Sequence, residues 1–175
     1  MKFLMISGYA ESLLRFRGDL IMAVAKKGHE ICLSAPKIKE DNLIVNFMIE
    51  NNIKGFDFPM ERTGMNPIRD IVSFYHLYRL IKKEQPDIVF AYTVKPVIYG
   101  MIAARLAGVP ARFSLISGLG HAFSEGASDF LNSLVRILYK ISISLSSKIF
   151  LQNPDDEILL KKYRIISEKK SFDCC

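Results

Sequence analysis

The stretch PDIVFAYTVKPVIYGMIAARLAGVPARFSLIS (residues 86–117) decides the fold. Two short apolar runs, PDIVFAY and ARFSLIS, flank PVIYGMIAARLAG, whose apolar residues recur at helical spacing. An apolar run without polar alternation suits a strand covered on both faces, the usual condition of a parallel sheet. Strand, helix and strand in that order make a crossover unit, and such crossovers are right-handed.

The same alternation extends in both directions. KFLMIS (2–7) is the first strand, followed by a helix carrying Leu13, Leu14, Leu20, Ile21, Val24 and Ala25 that stops at Gly28. EICLSA (30–35), NLIVNFMIENN (42–52) and IKGFDFP (53–59) read as strand, helix and strand. Asn66-Pro67 then opens a helix, because asparagine is a favoured N-cap and proline suits the first helical position. This helix runs to about residue 84 and is expected to turn Ile71, Val72, Tyr75, Tyr78 and Ile81 inward. Beyond residue 117 the loop GLGHAFSEGASD leads to a helix over 130–145, a sixth strand SKIFLQ (147–152), and a last helix opened by a second Asn-Pro. The expected fold is α/β: a Rossmann-like doubly wound parallel sheet in a single domain over 1–165, with 166–175 as a short tail. Ligands of such sheets bind at the C-terminal ends of the strands, which would gather Gly8, residues 62–66, residues 93–96, residues 118–121 and Asn153 on one rim.

Composition limits what such a domain does. Half of the 175 residues are apolar and a quarter charged, as in globular proteins, and no window is long and apolar enough to span a bilayer. The N-terminal apolar run is too short for a signal peptide. A formal charge of +6 favours an anionic partner. Cys32, Cys174 and Cys175 form no disulfide framework and no metal-ligand spacing, which fits a reducing compartment without structural zinc. No nucleic-acid recognition motif is present. The first strand–helix turn, SGYAES, has one glycine where a dinucleotide fingerprint needs three, and the second strand ends in LSAPK without an acidic residue for a ribose. Lys37 could meet a 2′-phosphate, so an NADP-dependent reductase is disfavoured without being removed. Walker A, HExxH and GxSxG motifs are missing as well.

Between residues 60 and 123, four elements occur together: the RTGMNP turn, a helix ending IKKEQPDIV, the TVKPVIYG junction and GLGHAF. In this combination the chain resembles the N-terminal half of glycosyltransferase family 4, in the bacterial branch acting on lipid-carrier-linked sugars. The opening LRFRGDLIMAVAKKGHE is similar too, more loosely. The resemblance implies one half of a two-domain GT-B architecture, in which the N-terminal half holds the acceptor and the C-terminal half most of a UDP-sugar. It also implies retention of anomeric configuration, no metal and no cofactor. The acceptor would be a polyprenyl-diphosphate-linked sugar, the transferred residue of N-acetylhexosamine type, and the location the cytoplasmic face of the plasma membrane with peripheral contact. The family's E-x7-E region and diphosphate-binding Arg/Lys pair have no counterpart in these residues, so this chain alone is expected to be inactive. Two other readings stand beside this one: a non-catalytic acceptor-binding subunit that recruits a catalytic chain, and a GT-B-fold sugar-nucleotide epimerase.

The resemblance and the residues together nominate a site. Proline disfavours helical geometry at the residue before it, which places Lys95 at a helix N-cap with Pro96 as the first helical residue. An ammonium beside a positive helix end calls for an anion, and the acceptor's diphosphate would supply it; the alternative is a solvated rim lysine. Arg15, Gly8 and Arg62 are the other acceptor-side candidates, with Arg15 and Arg17 pointing to different sides of their helix. His121 is the candidate for the transferred sugar, against a merely packed or exposed histidine. Asn66 is explained by capping, Arg69 is a weaker candidate, and His29 and His76 read as structural. The helix over 130–145 has a broad apolar face, including Leu131, Leu134, Val135, Leu138, Ile141 and Leu145, with Arg136, Lys140 and Lys148 near it. It reads as a core helix with snorkelling cations before it reads as a membrane-surface helix. The lysine pairs beginning at Lys26, Lys82, Lys161 and Lys169 read as solvated helix ends whose summed attraction favours an acidic lipid surface.

Overall fold

The computed structural model describes residues 1–61, 66–119, 129–166 and 173–174. Strands and helices alternate: β1 (Lys2–Ile6), α1 (Glu11–Lys26), β2 (Glu30–Ser34), α2 (Asn42–Glu50), β3 (Lys54–Phe56), α3 (Pro67–Glu84), β4 (Ile88–Tyr92) and α4 (Val94–Ala107). The chain continues with β5 (Ala111–Ile116), α5 (Asp129–Ser144), β6 (Lys148–Leu151), α6 (Pro154–Lys162) and β7 (Asp173–Cys174). All strand pairs are parallel, in the order β3-β2-β1-β4-β5-β6-β7. The expected doubly wound sheet is present. Its outermost strand, β7, was not foreseen, because a two-residue edge strand carries no periodicity to read.

Burial follows the apolar runs. All five residues of β4 are buried, as expected at the centre of a sheet covered on both faces. Side chains alternate across β1: Leu4 and Ile6 join a core with Leu77, Ile81, Val97, Met101, Tyr139 and Ile143, whereas Met5 joins one with Leu13, Ile21, Leu33, Ile44 and Met48. Thus α3, α4, α5 and α6 cover one face, and α1 and α2 the other.

Helix boundaries follow their chemistry. Asp41, Asn66 and Asn153 each cap a helix by accepting backbone N–H bonds, and prolines occupy the first positions of α3 and α6. Gly28, in the left-handed region at φ +77, follows the end of α1 as its stop signal requires.

One expectation fails. On α3 the buried positions are Ser73, Leu77 and Ile81, with Tyr78 packed partly against them, whereas Ile71 (67%), Val72 (42%) and Tyr75 (55%) are exposed. The helix carries two apolar stripes, and packing against α4 selects the one through Leu77 and Ile81. On α5, Tyr139 and Ile143 are buried with Val135 and Leu138 against the core, as expected of a core helix, while Leu134 and Ile141 face outward with Ile137. The Leu131 side chain lies outside the described residues.

Candidate functional site

Strand order reverses its sense between β1 and β4, so the turns that follow these two strands diverge and leave a crevice at the sheet's C-terminal edge. Two candidate positions, Gly8 and Lys95, lie at these turns, with Thr93 between them. Gly8 lies in the turn after β1, and a Cβ on it would stand 2.8 Å from Thr93 Oγ1, with Met60 and Pro96 next nearest. Only glycine lets the two turns approach this closely. Beneath the turn, the Ser7 and Ser12 hydroxyls lie 2.6 Å apart and both lie within hydrogen-bond distance of the Tyr9 carbonyl, so one donates to the carbonyl while the other donates to its neighbour, and Ser12 lies 2.9 Å from the buried Tyr92 hydroxyl. Burial pushes the Tyr92 pKa up, so it stays a neutral member of this network.

Thr93, the N-cap of α4, adopts φ +69 and ψ 154, a region side chains avoid at a cost of about 1–3 kcal/mol. Its Oγ1 is buried and makes no hydrogen bond, and it does not cap α4. The Ala10 N-cap of α1 offers no side-chain cap either. The two helices that start at the crevice therefore lack side-chain caps, whereas α2, α3 and α6 have them. Nothing in the sequence marks the Thr93 conformation, since threonine is normally excluded from it.

Lys95 lies two positions further into α4 than the sequence suggests. The helix begins at Val94, and Pro96 fits inside its first turn because the N–H it lacks would have no intrahelical partner there. The anion that this lysine calls for is within the chain. Lys95 Nζ donates to Asp70 Oδ1 at 2.8 Å, and the two side chains are only 16% and 17% exposed. Asp70 belongs to the first turn of α3, where a carboxylate also suits the helix dipole. One turn beyond Lys95, burial and then the Asp70 charge push the Tyr99 hydroxyl well above its ordinary pKa. Asp70 was not nominated from sequence; no spacing rule links positions 25 residues apart.

The remaining candidates separate. Arg15 is 68% exposed and pairs with Glu11 at 3.2 Å in the first turn of α1, on the solvent side of the rim. Arg17 is the half-buried member of the pair: it donates to Gln152 Oε1 at 3.0 Å and stacks over the Tyr92 ring at 5.1 Å. Arg69 pairs with Glu61. Arg62 and His121 lie outside the described residues. Just before His121, however, the backbone N–H groups of Gly118 and Leu119 are held by Asp156 of α6, a buried carboxylate. Burial raises the Asp156 pKa against the opposing pull of those N–H groups. Among the described residues there is no cluster of potential metal ligands and no helix long and apolar enough to cross a membrane.

A parallel sheet whose strand order reverses at a switch point, where two helices start without side-chain caps, defines a doubly wound α/β domain, a class that binds ligands at its strand ends. Comparison with known proteins narrows the class. The family described as "Glycosyl transferase 4-like" matches residues 9–153, and the chain belongs to that family. Over 129 residues it is 32% identical to the UDP-Gal:alpha-D-GlcNAc-diphosphoundecaprenol alpha-1,3-galactosyltransferase of Escherichia coli, a match covering 71% of this chain and 32% of that protein. It is 20% identical over 171 residues to the N,N'-diacetylbacillosaminyl-diphospho-undecaprenol alpha-1,3-N-acetylgalactosaminyltransferase of Campylobacter jejuni, covering 97% of this chain and 44% of the relative. The chain thus spans less than half the length of either. Among solved structures, a glycosyltransferase from Rickettsia africae superposes with a TM-score of 0.66 at 16% identity, covering 99% of this chain and 42% of that one. A UDP-GlcNAc 2-epimerase from Methanocaldococcus jannaschii, in complex with UDP-GlcNAc and UDP, gives 0.65 at 18% identity, covering 98% and 46%. These two likenesses establish the Rossmann-like fold of a GT-B half.

Proposed function

We propose that this chain is the acceptor-binding half of a retaining glycosyltransferase that moves a sugar, of N-acetylhexosamine type, from a UDP-sugar to a polyprenyl-diphosphate-linked acceptor. The observation that carries the reading is Lys95, held by Asp70 in the first turn of α4, at the switch point where α1 and α4 both start without side-chain caps. The names of the two curated relatives support it, since both describe transfer to a sugar on diphosphoundecaprenol. In this reading the acceptor diphosphate competes with Asp70 for the Lys95 ammonium, and the first-turn N–H groups receive the phosphate oxygens. Gly8 would leave the β1–α1 backbone open to the acceptor, and Arg15 would reach it from the solvent side of the rim. Arg62 is assigned to the acceptor and His121 to the transferred sugar from the family resemblance.

Catalysis would rest on holding two substrates in one closed cleft while fixed positive groups stabilise the departing diphosphate. The donor clamp belongs to the second half of such an enzyme, so this 175-residue chain is expected to bind acceptor without transferring sugar. The site would work at the cytoplasmic membrane face.

Calorimetric titration with a water-soluble short-prenyl diphosphate N-acetylglucosamine tests the reading. Wild type is expected to bind, and Lys95→Ala to weaken binding by about tenfold or more, as for loss of a charge-assisted phosphate contact. Equal affinity in the two proteins would remove Lys95 from the site. Conversion of UDP-GlcNAc by a longer version of the protein without acceptor would put the epimerase reading first.

A further inference from the structure

The outward face of α3 contradicts the expectation for a helix on a solvated surface. Ile68 (75% exposed), Ile71, Val72 and Tyr75 follow one another at i, i+3, i+4 and i+7, an unbroken apolar stripe over the first two turns. Arg79, Lys82 and Lys83 continue that face over the last two turns, and all three are exposed. The two acidic residues of the helix are turned elsewhere: Asp70 to Lys95, and Glu84 to Lys2 at 2.7 Å. The exposed face is therefore apolar at one end and purely cationic at the other, with no carboxylate to balance it. A water-facing helix would intersperse both signs, and an exposed apolar patch of this kind marks an interaction surface.

We propose that this face docks the protein on an anionic lipid bilayer. Ile68, Ile71, Val72 and Tyr75 enter the interfacial layer, and Arg79, Lys82 and Lys83 lie against the head groups. Tyrosine favours that depth, and Arg79 already stands 5.9 Å from the Tyr75 ring centre. Charge decides between a bilayer and a second copy of the chain. An isologous contact through this face would bring two cation-only surfaces together on a chain of net charge +6, whereas an anionic bilayer complements them. Charge also favours α3 over α5. The α5 stripe of Leu134, Ile137 and Ile141 is accompanied by exposed Lys140, while Arg136 is half-buried and stacks 4.0 Å over the Tyr163 ring.

Docking through α3 has a geometric consequence for the candidate site. Asp70 and Lys95 lie on the inner side of the same helix turns that carry Ile68 and Ile71. The switch point then stands about one helix diameter, roughly 10 Å, from the lipid surface, within reach of a diphosphate anchored at head-group level. This inference shares the lipid-linked acceptor with the reading above, but its test contains no acceptor, so either can fail alone.

The experiment is flotation of the 175-residue chain with vesicles of phosphatidylcholine, with and without phosphatidylglycerol. Wild type is expected to float with the anionic vesicles only, and to release as salt rises from about 0.1 M to about 0.5 M. Ile71→Glu/Tyr75→Glu and Arg79→Gln/Lys82→Gln/Lys83→Gln should each lower partitioning by about tenfold or more. Ile137→Glu/Ile141→Glu on α5 should float as wild type does. Circular dichroism and an unchanged Tm confirm that the variants are folded, as exposed positions allow. The proposal is overturned by a wild type that does not float, by α3 variants that float undiminished, or by loss confined to the α5 variant. Self-association abolished by Ile71→Glu without vesicle binding would give the face to a second copy and overturn it equally.

Discussion

Gly8 and Thr93 show how single residues set this site. At Gly8, alanine would place its Cβ 2.8 Å from Thr93 Oγ1, closer than such atoms approach. Gly8→Ala is expected to cost about 1–3 kcal/mol by overpacking, read from urea denaturation. Thr93 works in the opposite sense. Its backbone at φ +69 suits glycine, and its hydroxyl finds no partner, so Thr93→Gly is expected to stabilise the fold by about 1 kcal/mol. A destabilised Thr93→Gly protein would show that the side chain contributes packing beyond the strain it carries. Asp156 provides a pH signature. Its folded pKa is raised by burial, so the native state holds the proton to higher pH than the unfolded chain does. Its contribution to stability is fully present below the unfolded value of about 3.9 and is lost as pH rises through the folded value. Asp156→Asn lacks a titrating group there, and the stability difference between wild type and variant should follow that curve. A difference independent of pH across the acidic range would contradict the raised value.

Among the elements, α3 carries the most information. Its start is a capped turn, with Asn66 Oδ1 accepting from Ile68 and Arg69 N–H groups at 3.1 and 3.3 Å. Asn66→Ala should cost about 1 kcal/mol. The helix also offers an internal comparison. Leu77 is fully buried, and Leu77→Ala is expected to lose about 2–5 kcal/mol, whereas Ile71→Ala on the exposed stripe should lie within about 0.5 kcal/mol of wild type. Similar losses at both positions, measured by thermal denaturation, would mean that Ile71 is covered in solution.

Over the whole molecule, two apolar layers enclose the sheet, and Cys32 on β2, buried in one of them, reports on their integrity. The thiol is buried, and desolvation raises its pKa to about 11. With Cys174 and Cys175 replaced by serine, labelling of Cys32 at neutral pH should proceed only through unfolding, at a rate that tracks denaturant. Labelling as fast as that of a free thiol would contradict a closed core. The strand ends opposite the site are held by ionic contacts around Lys2, which reaches Glu84 at 2.7 Å and Glu30 at 3.7 Å while its backbone N–H donates to Asp87. These contacts join β1, β2, α3 and the start of β4 across 85 residues of chain.

The boundary between sequence and structure follows the range of the interactions. Continuous apolar runs, helical periodicity, Asn-Pro starts and a glycine stop are local signals, and from them alone came the alternation of strands and helices and the parallel sheet. The RTGMNP turn, the helix ending IKKEQPDIV, TVKPVIYG and GLGHAF in combination were enough to mark the family. Long-range choices were not available to such reading. Two apolar stripes on α3 are equivalent by periodicity until α4 covers one of them, so Ile71, Val72 and Tyr75 were assigned inward and lie outside. Lys95 announced the need for an anion, but Asp70 is brought to it only when α3 and α4 pack side by side. Thr93 is held in a conformation its side chain disfavours because the β1–α1 and β4–α4 turns meet there. Local pattern determines what each segment becomes; the packing of segments distant in sequence determines which face is buried, which charge is paired and where strain is stored.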